Sequence, residues 1–150
     1  MKVKEVMNAN FPRITPRTPV REVVQLLVRH HKNNLMVVDA NDAPAGVVTY
    51  KDLFRRLLPT VEELMRDKTY WTQPENLEER LVDIMHLPIQ EIMTTRLISA
   101  DPEMNALQAG ALMNAHRVKQ LPVIAEGKLI GEISYIDIMW GLILKYRRSL

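Results

Sequence analysis

The chain has 150 residues, of which 47% are apolar and 25% charged, a balance that suits a folded globular unit and lies far from the range of disordered chains. A formal net charge of +2 is too slight to mark a dedicated polyanion binder. The absence of cysteine excludes a disulfide framework, a thiolate zinc site and a cysteine nucleophile, and fits a reducing compartment, so a cytoplasmic location is expected.

Met1-Lys2-Val3-Lys4-Glu5 lacks the apolar run of a signal peptide, and the most apolar stretch, Ile136 to Leu144, is interrupted by Asp137. Nothing reaches the ~20 apolar residues of a membrane span. Val3-Lys4-Glu5-Val6-Met7 then has a counterpart in Ile89-Gln90-Glu91-Ile92-Met93. After a short extended opening at Ile14-Thr15, apolar residues at helical spacing (Val20, Val23, Val24, Leu27) predict a helix over 20–31. Leu35-Met36-Val37-Val38 reads as a buried strand, the breaker-rich stretch 39–44 as a hairpin turn, and Gly46-Val47-Val48-Thr49 as a second strand. A final helix starts at Thr49 and carries Leu53, Phe54, Leu57 and Leu58.

Pro59 to Pro88 is unrepeated and contains Trp71 and the charged stretch Glu75 to Arg80, and Leu77, Leu81 and Ile84 make part of it an amphipathic helix. It reads as a packed connector, or alternatively as a dimer contact or lid. The first pattern then recurs: an opening at Ile98-Ser99, a helix over 104–117, a strand at Leu121-Pro122-Val123-Ile124, a turn at 125–128, and Gly131 to Ser134 leading into a helix with Ile138, Met139, Leu142 and Ile143. Leu35 and Leu121 stand 86 residues apart, Gly46 and Gly131 85. The duplication predicts an α+β fold of two tandem pseudo-twofold repeats, each a helix-strand-strand-helix core, with an inserted helical linker. The boundaries expected are 1–58, 59–88 and 89–150. The nine methionines form no stripe and read mostly as core filler, Met65 and Met139 among them.

The ordered, duplicated set of an apolar-Glu-apolar-Met opening, a helix, Leu-Pro-Val at a strand, and Gly-x-apolar-Ser/Thr-x-x-Asp before the last helix resembles the CBS domain, the regulatory repeat named after cystathionine β-synthase. The first copy departs from the pattern with Met36 in place of Pro122, and with Asn33-Asn34 in place of Lys119-Gln120. The resemblance implies a stand-alone Bateman module, in which two repeats form two clefts that take AMP, ADP, ATP, S-adenosylmethionine or another adenosine-containing ligand. It also implies that the module is regulatory and has no catalytic residues, that it is a homodimer, and that it acts on a partner protein whose identity the sequence does not carry. No cofactor in the catalytic sense is implied.

Thr49-x-x-Asp52 and Ser134-x-x-Asp137 have capping-box spacing, which alone explains them as helix caps. The same arrangement offers free backbone N–H groups to a phosphate and a carboxylate to a ribose diol. Lys119, just ahead of a strand, stands where the family often places a cation facing phosphate, and Ile14, Thr15, Ile98 and Ser99 would line an adenine. The adjacent His30 and His31 point about 100° apart on a helix and do not make a metal site. No nucleophile elbow, P-loop or His-Glu-x-x-His string occurs, so no enzyme is expected. Two other readings stay open at this level: a purely structural dimerisation module, and a weak nucleic-acid binder using Lys145, Arg147 and Arg148. The final helix is apolar on several faces, which makes Trp140 and Leu144 candidate dimer contacts.

Overall fold

Both copies carry their apolar periods into the elements those periods call for. In the computed structural model, which describes residues 1–69 and 73–147, the first copy runs β1 (Arg13–Ile14), α1 (Val20–Arg29), β2 (Asn34–Val38), β3 (Pro44–Thr49) and α2 (Tyr50–Leu57). The linker supplies α3 (Val61–Arg66) and α4 (Pro74–His86). The second copy gives α5 (Ala106–Ala115), β4 (Gln120–Ala125), β5 (Lys128–Ser134) and α6 (Tyr135–Tyr146). The chain is thus a mixed α+β protein of two tandem repeats. Trp71 lies outside the described residues.

The first helix of each copy stops two residues earlier than its periodicity suggests. His31 (φ 51°) and Arg117 (φ 55°) take the left-handed conformation just past α1 and α5. Lys32 N donates to Leu27 O at 3.0 Å and His31 N to Val28 O at 3.3 Å; Val118 N to Met113 O and Arg117 N to Asn114 O repeat this at 3.0 and 3.2 Å. This is the Schellman closure, made twice without the usual glycine. α5 also begins later, at Ala106, because the Asn105 side chain caps it by accepting from Leu107 N at 2.9 Å.

β1, β2 and β3 form one sheet in that order, β1 parallel to β2 with Ile14 opposite Val37. β4 and β5 pair antiparallel through the turn Glu126-Gly127, whose φ values of 51° and 74° suit a two-residue hairpin. Where the first copy has a short opening strand, the second has a single parallel bridge, Ala100 to Val123. Met36 and Met113 are core residues, but Met65 and Met139 are 76% and 54% exposed. The filler reading fails for those two because each lies on an outward helix face, with exposed apolar residues one turn away: Val61 for Met65, and Ile136 and Ile143 for Met139.

Contacts group the chain into two compact units, and each contains the opening segment of the other copy. One unit holds Met1–Phe11, Ala40–Pro44 and the chain from Arg96 onward; the other holds Pro12–Asp39 and Ala45–Thr95. In the second-copy unit Val3 N donates to Met104 O (2.8 Å), Lys4 N to Pro102 O (3.0 Å) and Ala106 N to Met1 O (3.0 Å). In the first-copy unit Ile89 N donates to Thr18 O (2.8 Å), Gln90 N to Pro16 O (3.0 Å) and Val20 N to Leu87 O (2.9 Å). These are the same bonds with the two openings exchanged.

The exchange also explains the duplicated Met and Gly of the repeat. A Cβ on Gly46 would lie 2.8 Å from both Met93 Sδ and Thr94 O, and one on Gly131 would lie 2.7 Å from Met7 Sδ. Glycine at these strand positions admits the close approach of the opening segment. Val3 and Ile89, both fully buried, then complete the two apolar cores.

Candidate functional site

Each copy positions its candidate residues where the last strand passes into the last helix. Thr49 and Ser134 are the N-caps of α2 and α6, held extended at φ −115° and −124° by the strands that precede them. In the first-copy unit, Thr49 N and Thr49 Oγ1 each donate to Asp52 Oδ2 at 2.9 Å, while Asp52 N donates back to Thr49 Oγ1 at 3.2 Å. In the second-copy unit, Ser134 N and Ser134 Oγ donate to Asp137 Oδ2 at 2.7 and 2.5 Å. Both hydroxyls therefore spend their proton on the aspartate, and both aspartates use one oxygen for the cap. Oδ1 of each is left to accept from another donor, which is the chemistry a pair of ribose hydroxyls requires.

All four of these side chains are partly buried, so a bound group would meet them with little further desolvation of the protein. The Asn33 carbonyl accepts from Tyr50 N at 3.1 Å, which fastens the start of α2 to the residue before β2. Lys119 occupies the corresponding position before β4 and is exposed. A cation thus stands ahead of the strand in the second-copy unit, and a neutral amide in the first.

The openings are placed differently. Ile14 is 4% exposed and belongs to the core of the first-copy unit, while Thr15 is exposed and closes a local turn, its N donating to Thr18 Oγ1 at 3.0 Å and its O accepting from Thr18 N at 3.0 Å. Ile98 is half-buried against the core of the second-copy unit, and Ser99 is exposed beside the bridge at Ala100. Ile14, Thr15, Thr49 and Asp52 thus share one unit, and Ile98, Ser99, Lys119, Ser134 and Asp137 share the other.

One residue escaped the sequence reading. Glu132, the residue before Ile133 in β5, is only 4% exposed, and its Oε2 accepts from Gln120 Nε2. The available signal was an acid within a strand run where the first copy has Val47. His30 and His31 are exposed residues closing α1, and among the described residues no cluster of His, Cys, Asp or Glu is arranged to hold a metal ion. No helix among the described residues is long and apolar enough to cross a membrane. An apolar groove of about 600 Å³ runs between α1, α2 and α4; Tyr50 lines it but Thr49 and Asp52 do not.

The CBS domain family matches residues 3–59 and 89–143. The chain is 28% identical over its whole length to the chloride channel protein CLC-f of Arabidopsis thaliana, of which it spans 20%. It is 24% identical over 91% of its length to the CBS domain-containing protein YhcV of Bacillus subtilis, of which 81% is covered. Among solved structures, that of CBSX2 in complex with AMP superposes with a TM-score of 0.75 at 22% identity, covering 97% of this chain and 98% of that one; CBSX2 is from Arabidopsis thaliana. That likeness is one of fold.

Proposed function

Because this chain belongs to the CBS domain family, its two repeats forming the tandem pair, we propose that it is a non-catalytic regulatory module that binds an adenosine-containing ligand. The observation that carries this reading is the pair of equivalent helix starts, each with a carboxylate whose Oδ2 is fixed by the cap and whose Oδ1 remains an acceptor. Asp52 and Asp137 take the ribose hydroxyls, and the positive N-terminal ends of α2 and α6 face phosphate. Ile14, Thr15, Ile98 and Ser99 border the base. The complex of CBSX2 with AMP, a protein of the same fold, supports an adenine nucleotide as the ligand. The module works in the cytoplasm as a homodimer and signals to a partner protein.

Of the two sites, the second-copy one is the stronger, since it alone joins Ser134 and Asp137 with a cation, Lys119. A lysine–phosphate hydrogen bond is worth roughly 1.5–3 kcal/mol, or about one to two decades of affinity. Titration calorimetry with AMP should find Asp137→Ala more damaging than Asp52→Ala. Lys119→Ala should weaken AMP and ATP by about one to two decades while leaving adenosine nearly unchanged. Equal losses for adenosine and AMP would remove Lys119 from the phosphate, and no heat with any adenosine compound would leave a purely structural module.

A further inference from the structure

The nucleotide reading makes no use of the groove between α1, α2 and α4. Every residue lining it belongs to the first-copy unit, so its shape is set within that unit alone. The floor is core: Val20, Leu27 and Ile84 are buried there, while Val28, Phe54 and Leu81 form a rim that is 70%, 59% and 38% exposed. A volume of about 600 Å³ falls within the ~300–1,000 Å³ of small-molecule sites, which are mostly apolar and carry a few polar groups that fix orientation.

The two ends of the groove differ in chemistry. Tyr50 N donates to Asn33 O at 3.1 Å, which sets the start of α2 beside the end of α1 and gathers His31, Lys32, Asn33 and Tyr50 at one end. Val20 N donates to Leu87 O at 2.9 Å, which sets the start of α1 beside the end of α4, so the other end is apolar, with Val20 and Met85. From Val20 to His31 the helical rise spans roughly 16 Å. Two of the lining residues, His31 and Lys32, are basic and none is acidic. His31 sits there at φ 51°, where glycine would be unstrained. A strained backbone that carries an imidazole to the groove end is accounted for by a role for that side chain.

We propose that this groove is a second ligand site, separate from the adenosine sites, that takes a single medium-chain carboxylate. The tail lies along Val24, Leu53 and Leu81, and the carboxylate accepts from His31 and Lys32. Charge sets the class of ligand: a cationic head would face two basic groups with no acid in the lining to offset them, and an alcohol would forgo the charge-assisted hydrogen bond. Shape selects one molecule over a bilayer, since the rim stands between a flat surface and the floor.

Titration calorimetry with octanoate, decanoate and dodecanoate below their micellar concentrations tests the site. Each added methylene should tighten binding about three- to four-fold. Changing the basic end, His31→Gly together with Lys32→Ala, should weaken decanoate about ten-fold or more and leave decanol unchanged. Glycine suits the backbone at 31, so this variant should fold. Leu81→Gln, on the partly exposed wall, should weaken decanoate and decanol alike, and saturating AMP should leave decanoate bound, because Thr49 and Asp52 do not line the groove. No heat with decanoate, or equal losses of decanoate and decanol in the His31 and Lys32 variant, would overturn the proposal. So would displacement of decanoate by AMP, which would put the carboxylate in a nucleotide site, or binding lost in Ile136→Ser of α6 but kept in Leu81→Gln. Sedimentation with phosphatidylglycerol vesicles that Leu81→Gln abolishes would assign the groove to a membrane and overturn it as well.

Discussion

At the scale of single residues, the polar groups of the candidate sites were legible because their geometry is local. A Ser or Thr three residues before an Asp, at the end of a strand, fixes a cap whatever the rest of the chain does, and both caps form. Glu132 was not legible, since its burial depends on β5 being paired and covered. The left-handed residues were equally hidden: nothing in His31 or Arg117 announces φ above 50°. A non-glycine residue there costs about 1–2 kcal/mol. Arg117→Gly, at a position the second copy's helix needs only for its closure, should therefore raise stability by about 0.5–1 kcal/mol after the entropy of glycine is deducted. Chemical denaturation without nucleotide measures this, and unchanged or lower stability would show that the arginine side chain contributes more than its backbone loses.

A second residue-scale effect depends on pH. Lys2 Nζ donates to Glu103 Oε2 at 2.5 Å and Lys4 Nζ to Oε1. Those hydrogen bonds, Lys2's first, hold the Glu103 carboxyl down at about 2 from an ordinary value of 4.5. A carboxyl depressed on folding contributes stability that is fully present above its unfolded value and is lost as pH falls through its folded value. The difference in melting temperature between the protein and Glu103→Gln should thus be steady above pH 4.5 and vanish between pH 4.5 and about 2. Because all three groups are exposed, the difference should be small and shrink further in high salt. A difference that persists below pH 2 would rule out the ion pairs as its source.

At the scale of elements, α1, α2, α5 and α6 and the strands between them followed from apolar spacing, and the errors lie at ends where closure or capping overrides periodicity. Which opening segment completes which repeat did not follow. Val3–Glu5 and Ile89–Glu91 are near-copies that make identical bonds, so the sequence is degenerate between the exchanged and unexchanged arrangements. The glycines opposite them give a graded test. At Gly46 an added methyl would meet the backbone atom Thr94 O at 2.8 Å, whose residue is paired with Val47 in both directions. At Gly131 the nearest backbone atom, Asn8 O, is at 3.2 Å, and the closest atom is the mobile sulfur of Met7. Overpacking of this kind costs roughly 1–3 kcal/mol. Gly46→Ala should lie at the upper end and Gly131→Ala at the lower, as measured by urea denaturation. The reverse order would mean that the Met7 side chain has less room to move than the Thr94 backbone.

For the whole molecule, the exchange makes the chain's linear order a poor guide to what depends on what. Residues 1–8 open the first repeat, yet their hydrogen bonds go to Pro102, Met104, Ala106 and Glu132. Their side chains go the same way: Val3 lies in the second-copy core, Met7 lies against Gly131, and Val6 and Met1 against Gly141 of α6. Deleting residues 1–8 should therefore loosen the second repeat and spare the first. Burial of Val3 alone is worth about 1.5–3 kcal/mol, and the lost backbone partners add to that. Hydrogen exchange read by mass spectrometry reports the location directly, because protection falls wherever local opening becomes easier. Faster exchange is expected in α5, β4, β5 and α6, with α1, β2 and β3 little changed, since the latter are closed by 87–94 and not by the deleted segment. Faster exchange confined to α1, β2 and β3 would show that each opening serves its own repeat in solution, and the exchanged arrangement would then be wrong.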